Sequence, residues 1–471
     1  MPPPGLDNLP VELVHHIVSL LPTLPSVTAL RSTCRDICAK VTSSEPFQAA
    51  FITRTADISE ASLTTLASVA AHPSLGRLIR TVVLRTYLFD PWIFKTQHLA
   101  HGRRYVVTGP RRHWVDCTAD EVAAARQTVQ LYQERNESMW QMRKNGRDAE
   151  LMTAIFGGMK GKRRRLKAVV LEAAVFSSYG ARVPAWMVNK TDDGSGEGGE
   201  KARLWKAMAH DFGVVLGTMA RAETRVEELR LYGGAWGGSV MAAAFGDAID
   251  ATAARPALEA VLSRVKVLRG FVSFGGLENL GSHTQHRRSG CADRIGEFLA
   301  MAKGLEVLDL LYYKACQPED DASQTMFQKM MAPIVGERVQ SLRLRGFRAF
   351  ATEVLELIGK CGDLQELELH HFELDGGEWS DVFDLLRKQN HKLQRLTVYR
   401  LYEGPSSIII TKPGDCELPQ DEKEEPSYYC VYQMNGEQVR SGIEYRPDTT
   451  RPKGSQAAYI HRRQFQNLHL Y

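Results

Sequence analysis

The sequence predicts an α/β protein in which parallel strands stack side by side in chain order, and three observations predict it. A six-residue pattern, apolar-x-x-apolar-x-apolar, is clearest in Leu364-Gln365-Glu366-Leu367-Glu368-Leu369; in an extended chain its last two leucines share one face. The pattern recurs at Leu166-x-x-Val169-x-Leu171, Val226-x-x-Leu229-x-Leu231, Val265-x-x-Leu268, Leu305-x-x-Leu308-x-Leu310, Val339-x-x-Leu342-x-Leu344 and Leu393-x-x-Leu396-x-Val398, with a weaker copy at Ile79-x-x-Val82-x-Leu84. Helical apolar spacing fills the intervals, over 204–219, 240–262, 295–301, 326–335, 354–358 and 382–386. Asp293 and Ser380 are candidate caps for two of these helices.

A unit of this kind cannot bury its own apolar face and needs a neighbour stacked on it. Parallel strands require crossovers, and right-handed ones curl the stack with a concave sheet inside and helices on the convex side. The later copies start about 25 to 40 residues apart, which spans the lengths of leucine-rich repeats and overruns them in places. Such an array also accounts for 471 residues, too many for one compact core, without a separate enzyme domain.

Composition narrows the function. A net charge of +4 is slight for this length and argues against nucleic acid as the main partner, because phosphate neutralisation demands a concentrated basic face. Apolar runs are too short to span a bilayer, so no membrane is expected. Met1-Pro2-Pro3-Pro4-Gly5 lacks the basic and apolar regions of a signal peptide, which points to the cytoplasm and/or nucleus. The cysteines lie far apart except Cys34 and Cys38, which are one helical turn apart rather than in a Cys-x-x-Cys clip. Buried free thiols are therefore expected in place of disulfides or zinc.

Near the start, Pro10 suits the first turn of a helix carrying Val11, Leu13, Val14, Ile17, Val18, Leu20 and Leu21, and Pro22 and Pro25 end it. Ser26 then caps a second helix running to Val41. Two short helices with this much apolar surface leave some of it for a partner. Leu9-Pro10-Val11-Glu12-Leu13, then Ile17, Leu20 and Leu21, then Leu30-Arg31-Ser32-Thr33-Cys34-Arg35-Asp36-Ile37, resembles an F-box, and the array that follows is similar to the long, irregular leucine-rich repeats of F-box proteins. One departure is Pro22-Thr23-Leu24-Pro25, where many F-boxes carry an acidic turn. The resemblance implies a substrate receptor of a Skp–cullin–F-box ubiquitin ligase, with the Skp adaptor, and through it a cullin, as partners. A helical cap that seals the first repeat is the other reading of this stretch.

The expected organisation is an F-box over 1–45, a helical connector over 46–75, a repeat array over 76–404 and a C-terminal cap or tail over 405–471. The period breaks over 88–162. This insertion holds Phe89, Trp92, Phe94, two Arg pairs and Trp114 before a capping box, Thr118-x-x-Glu121, opens a long helix. Its aromatics either form a partner surface or pack on the array's edge. The basic run Lys160–Lys167 reads either as a nuclear-import signal or as a solvated turn. Residues 190–200 read as a flexible loop. Met434-Asn435-Gly436-Glu437 signals a hairpin.

No nucleophile elbow, metalloprotease helix, phosphate loop or dinucleotide fingerprint is present, so the expectation is a non-catalytic chain with no cofactor. Binding then falls to two surfaces. Leu9, Pro10, Leu13, Ile17 and Leu20 are the residues that the resemblance assigns to the adaptor. Strand positions that alternate with the leucines, namely Arg230, Tyr232, Arg269, Phe271, Arg343, Arg345, Glu368, His370 and Tyr399, would face a protein substrate from the concave sheet. The alternative is a repeat scaffold or sensor that acts without ubiquitin ligation.

Overall fold

The computed structural model describes residues 5–21, 24–90, 94–108, 111–159, 166–176, 182–183, 200–233, 238–251, 255–273, 284–313, 324–389, 391–404, 406–410, 416–417 and 431–448. It is a mixed α/β structure built on one large, mostly parallel sheet.

Four short helices come first: α1 (Val11–Leu20), α2 (Leu24–Arg31), α3 (Arg35–Ser43) and α4 (Glu45–Ile52). The helix expected from Ser26 to Val41 is thus two helices. The Ser32 and Thr33 hydroxyls bond back to the carbonyls of Ala29 and Leu30, and Cys34 turns extended, with its Sγ accepting from the Ile37 N–H. These local bonds compete with helix continuation and start a new one. Val14, Val18, Val27, Ile37, Val41, Phe47, Phe51 and Leu75 form the small core of this module.

The sheet starts earlier than Ile79. Strand β1 (Thr53–Asp57) lies inside the expected helical connector and pairs with β2 (Thr81–Phe89) across helix α5 (Glu60–Ala71). Next come a hairpin, β3 (Arg103–Thr108) with β4 (Arg111–Asp116), and helices α6 (Ala119–Lys144) and α7 (Arg147–Gly158). The Thr118–Glu121 capping box forms as expected, with reciprocal bonds of 3.2 and 2.9 Å. The chain continues through β5 (Leu166–Phe176), β6 (Arg182–Val183), α8 (Glu200–Arg221), β7 (Val226–Leu231), β8 (Val240–Met241), α9 (Ala242–Ala251), α10 (Arg255–Leu262) and β9 (Val267–Ser273). Then follow α11 (Thr284–Met301), β10 (Val307–Tyr313), α12 (Gln324–Met331), β11 (Ser341–Arg345), β12 (Arg348–Phe350) and α13 (Ala351–Lys360). The series closes with β13 (Glu366–Gly376), α14 (Trp379–Gln389), β14 (Arg395–Glu403), β15 (Ser406–Ile410), β16 (Cys416–Glu417), β17 (Val431–Asn435), α15 (Gly436–Ser441) and β18 (Tyr445–Asp448).

Strands β1, β2, β5, β7, β9, β10, β11, β13 and β14 lie side by side in that order, all parallel. The pattern read from the sequence explains why. Its first apolar residue is buried in the turn that leads into a strand (Val265, Leu305, Val339, Leu364 or Leu393) or, as Val226, at the first position of the strand itself. Its last two point into the main core in register with those of the neighbours, as in Leu308, Leu342, Leu367 and Leu396. Helices α5, α7, α8, α9, α11, α12, α13 and α14 pack each on the next and cover that core. Helix α7, inside the expected insertion, belongs to this layer.

Other expectations are corrected. Asp293 sits within α11, which begins nine residues earlier at Thr284, and Ser380 is the second residue of α14. The stretch 240–262 is a short strand and two helices, with Pro256 in the first turn of the second. No hairpin forms at Met434–Glu437: the Asn435 side chain accepts from the N–H groups of Glu437 and Gln438 and opens α15 instead. The array ends antiparallel, with β15 and β17 on β14 and β18 on β15. Of the free cysteines described, only Cys361 is buried; Cys34 is exposed and Cys38, Cys117 and Cys291 are half-buried. Residues 160–165 of the basic run and 190–199 of the glycine-rich loop lie outside the described residues. Among the described residues no helix is long and apolar enough to cross a membrane.

Gly346 lets the chain leave β11. Its φ is +79°, and a Cβ there would stand 2.4 Å from the Tyr312 carbonyl oxygen. Gly346→Ala should therefore lower the urea midpoint by the equivalent of about 1–2 kcal/mol or more, and an unchanged midpoint would contradict this account.

Candidate functional site

Of the five residues expected to hold the adaptor, three form one stripe. At about 100° per residue, positions 13, 17 and 20 lie within a narrow arc of α1. Leu13 is 50% exposed and Leu20 70%, with Ile17 half-buried between them and Leu6 close by in sequence at 52%. The adjoining face of α1, about 110° round the helix, supplies Val14 and Val18 to the module's core. Leu9 is half-buried against that core and its carbonyl accepts from Lys40 Nζ at 2.7 Å, so it anchors the start of α1. Pro10 is the exposed N-cap. His15 places Nε2 3.0 Å from the Lys40 carbonyl oxygen.

The sheet face opposite the helices carries the second group. Register sets Arg230, Arg269, Asp309, Arg343 and Glu368 in one row, and Phe271, Leu311, Arg345, His370 and Tyr399 in the next. Opposite charges pair across strands: Arg343 lies 3.5 Å from Glu368 and 3.6 Å from Glu366, Arg395 3.0 Å from Glu366, and Arg345 binds Asp309. Phe271 is on this face but buried. His370 and His371 both set their rings edge-on to Tyr399, at 5.6 and 5.1 Å between centroids. They stand together because His371 has a φ of +49°, which interrupts the alternation of β13.

Tyr232 is not on this face. With a φ of +53° it turns inward at the end of β7, is 1% exposed, and donates its hydroxyl to the Met208 carbonyl of α8 at 2.8 Å. Burial pushes its phenol well above the ordinary range, with Asp211 adding to the effect.

Beside it is a buried polar cluster that the sequence reading missed. Arg143, from the end of α6, donates through Nε and Nη2 to Asp211 of α8 at 2.8 and 3.0 Å, and Thr86 donates to the same carboxylate at 2.6 Å. Asp148 of α7 pairs with His210 at 2.7 Å. The donor atoms of Asp148, His210 and Asp211 lie within 4.8 Å of one another. A cation would nonetheless meet an Asp211 whose two oxygens are already taken by a guanidinium and a hydroxyl. The cluster is therefore a clamp that ties α6 and α7 to α8.

The insertion's aromatics divide. Phe89 stacks on Phe176 and meets Tyr132 at 5.1 Å, so these pack on the strand ends, whereas Trp114 and Trp140 are about half exposed. Trp92 lies outside the described residues. Burial, opposed slightly by Lys360, pushes the Cys361 thiol up to about 12, which leaves it unreactive.

No protein-family model matches this chain, and no curated protein matches it either.

Two outcomes follow. Arg143→Met alone strands a fully buried Asp211 carboxylate and should cost about 3–5 kcal/mol in chemical unfolding. Arg143→Met with Asp211→Leu should cost less than the sum of the single changes, and strict additivity would argue against the clamp. The second concerns acid. Burial, then Arg345 and Arg343, push His370 down to about 3, so it stays neutral in the folded chain while the unfolded chain takes up a proton below about pH 6.5. Its stabilisation is full at neutral pH and is lost as pH falls toward 3, with a slope of at most about 1.4 kcal/mol per pH unit. About a fifth of the side chain reaches solvent, so the slope should lie below that limit. His370→Gln should flatten the dependence of the urea midpoint between pH 6.5 and 4; an equal slope would assign the acid sensitivity elsewhere.

Proposed function

We propose that the chain is a non-catalytic substrate receptor of a Skp–cullin–F-box ubiquitin ligase. In this reading residues 1–45 are the F-box, the parallel sheet and its helices are a leucine-rich-repeat solenoid, and the protein works in the cytoplasm and/or nucleus. The observation that carries it is the apolar stripe on α1. A helical cap has a polar outer face. Here Leu13 and Leu20 are exposed on a helix whose adjoining face is already packed, alongside Ile17. Those three positions belong to the stretch that resembles the F-box. A partner that covers them gains about 1.5–3 kcal/mol for each large side chain it fully buries. The same stripe weighs against a scaffold whose N-terminal helices only seal the array.

No bond is made by this chain in the proposed mechanism. The α1 stripe holds the Skp adaptor, the charged sheet face holds a protein substrate, and the shared scaffold raises the concentration of substrate lysines near a conjugating enzyme. Rigidity between the two surfaces matters for this, and Val69 of α5 packs against both the small N-terminal core and the main core.

Co-purification with a Skp-type adaptor is the test. Wild type should form a stoichiometric complex, and Leu13→Asp with Leu20→Asp should weaken it by about a hundredfold or more while leaving the circular dichroism spectrum unchanged. Wild type that ignores the adaptor, or a folded double variant that binds as well, would overturn the reading.

A further inference from the structure

The row of charges over β7, β9, β10 and β11 is uneven in a way that a count of charges hides. Arg230 and Arg269 stand directly opposite each other in register, and like charges in that position repel. They share one carboxylate. Arg230 Nε donates to Glu228 Oε1 at 2.7 Å; Arg269 Nε is 3.8 Å from the same oxygen and has no hydrogen-bond partner. Two strands on, Arg343 has its carboxylates at 3.5 and 3.6 Å, looser than a well-made hydrogen bond.

Over β7 and β9 the cations also lie uppermost. Side-chain exposure is 46% for Arg230 and 41% for Arg269, against 11% for Glu228 and 9% for Asp309, whereas Arg343 at 33% stands level with Glu366 at 31% and above Glu368 at 22%. An approaching molecule therefore meets guanidinium first over β7 and β9, with the acids beneath it. The strip is short. Toward β5 its row continues as the apolar Val170 and Val83, and toward β14 as Glu368 and Thr397.

We propose that this strip binds an extended acidic segment of a protein, with Arg230, Arg269 and Arg343 each taking a carboxylate. The proposal deepens the reading of this face as the one that receives the substrate. Strands lie about 4.8 Å apart, so β7 to β11 is about 14 Å, which about four extended residues span at roughly 3.3 Å each. Carboxylates suit guanidinium forks because two parallel N–H···O bonds can form. A nucleic-acid strand fits less well, since its phosphates would run on over Glu368 at one end and the buried, apolar Val170 and Val83 at the other.

The test uses the full chain and a fluorescein-labelled octapeptide of alternating glutamate and threonine, followed by anisotropy, with the glutamine-for-glutamate peptide as the neutral control. The acidic peptide should bind, more weakly at high salt, and the neutral one should not. Arg230→Gln with Arg269→Gln should weaken binding about tenfold or more. Glu228→Gln, which frees both guanidiniums, should tighten it about threefold. Arg85→Gln, whose ion pair with Glu172 at 2.6 Å lies off the strip, should change nothing. Four results would overturn the proposal: no acidic preference in wild type, full binding by a folded arginine double variant, weaker binding by Glu228→Gln, or displacement of the peptide by oligothymidine at lower charge concentration than by unlabelled peptide. Adaptor capture run on the same samples separates the two readings. Peptide binding without adaptor binding removes the ligase and keeps the acidic site; the converse keeps the ligase and removes the site.

Discussion

A strand in the middle of this sheet has leucines on one side that no residue of its own unit can cover completely. Each unit is therefore completed by the next, and the join repeats. The N–H just before each strand bonds to the equivalent carbonyl of the preceding unit: Lys266 to Glu227, Glu306 to Lys266, Gln340 to Glu306, Gln365 to Gln340 and Gln394 to Gln365, all at 2.7–2.8 Å. Residues separated by 25 to 40 positions are thus fixed at the same height, and the leucine columns follow. A shift of one residue in any unit would turn its leucines to the wrong face, so register is strongly specified. The ends need separate treatment because an open edge invites further pairing. At one end β1 is short and polar, reading Thr-Arg-Thr-Ala-Asp, and at the other the antiparallel strands β15, β17 and β18 take the place of a further parallel unit.

Once the leucines are fixed inward, the alternate residues have nowhere to go but the other face, and their chemistry is what remains free to vary. Here it forms a sheet-wide set of ion pairs, each weak in isolation where solvent reaches it. Partial burial changes the balance for some members. Burial raises the Glu368 carboxyl above the ordinary range even though Arg343 and Arg345 oppose the shift, and burial with neighbouring cations keeps His370 and His371 uncharged. The arginines, being long, reach past the shorter acids to solvent. A nearly balanced charge count therefore coexists with an outward surface of one dominant sign over β7 and β9.

How much of this was legible in the sequence follows from range. The leucine columns were, because their signal is local and repeated: every first-position residue from Val226 to Leu393 is buried as its spacing requires. The capping box at Thr118 was legible for the same reason. Tyr232 was not, because an aromatic residue gives no sign that its φ will be positive, and one such angle moves its side chain from the outer face to the core. The Arg143–Asp211 pair was not, because its members are 68 residues apart and neither has a distinctive neighbour. The break between α2 and α3 was missed although its cause, Ser32-Thr33-Cys34, was in plain view. Helical spacing carried across it, and weak side-chain caps outweighed the spacing.

The two surfaces are tied together by the same packing that makes each of them. The stripe on α1 projects from a core that includes Leu75, with Leu78 and Val69 packed against it, and these residues lead directly into β2 or line α5 beneath it. Phe47 and Phe51 of α4, 4.8 Å apart between ring centroids, stiffen the last turn before β1. From β1 onward, every step to β7 and β9 is a parallel pair held in register on one side and by stacked helices on the other, with the Arg143–Asp211 clamp holding α6 on α8 where the period breaks. Moving the α1 stripe relative to Arg230 and Arg269 would mean opening one of these buried contacts rather than bending a linker. The α1 stripe and the Arg230–Arg269 strip consequently stand at a fixed distance from each other, which is the mechanical property that the proposed receptor requires and a loosely tethered pair of domains would lack.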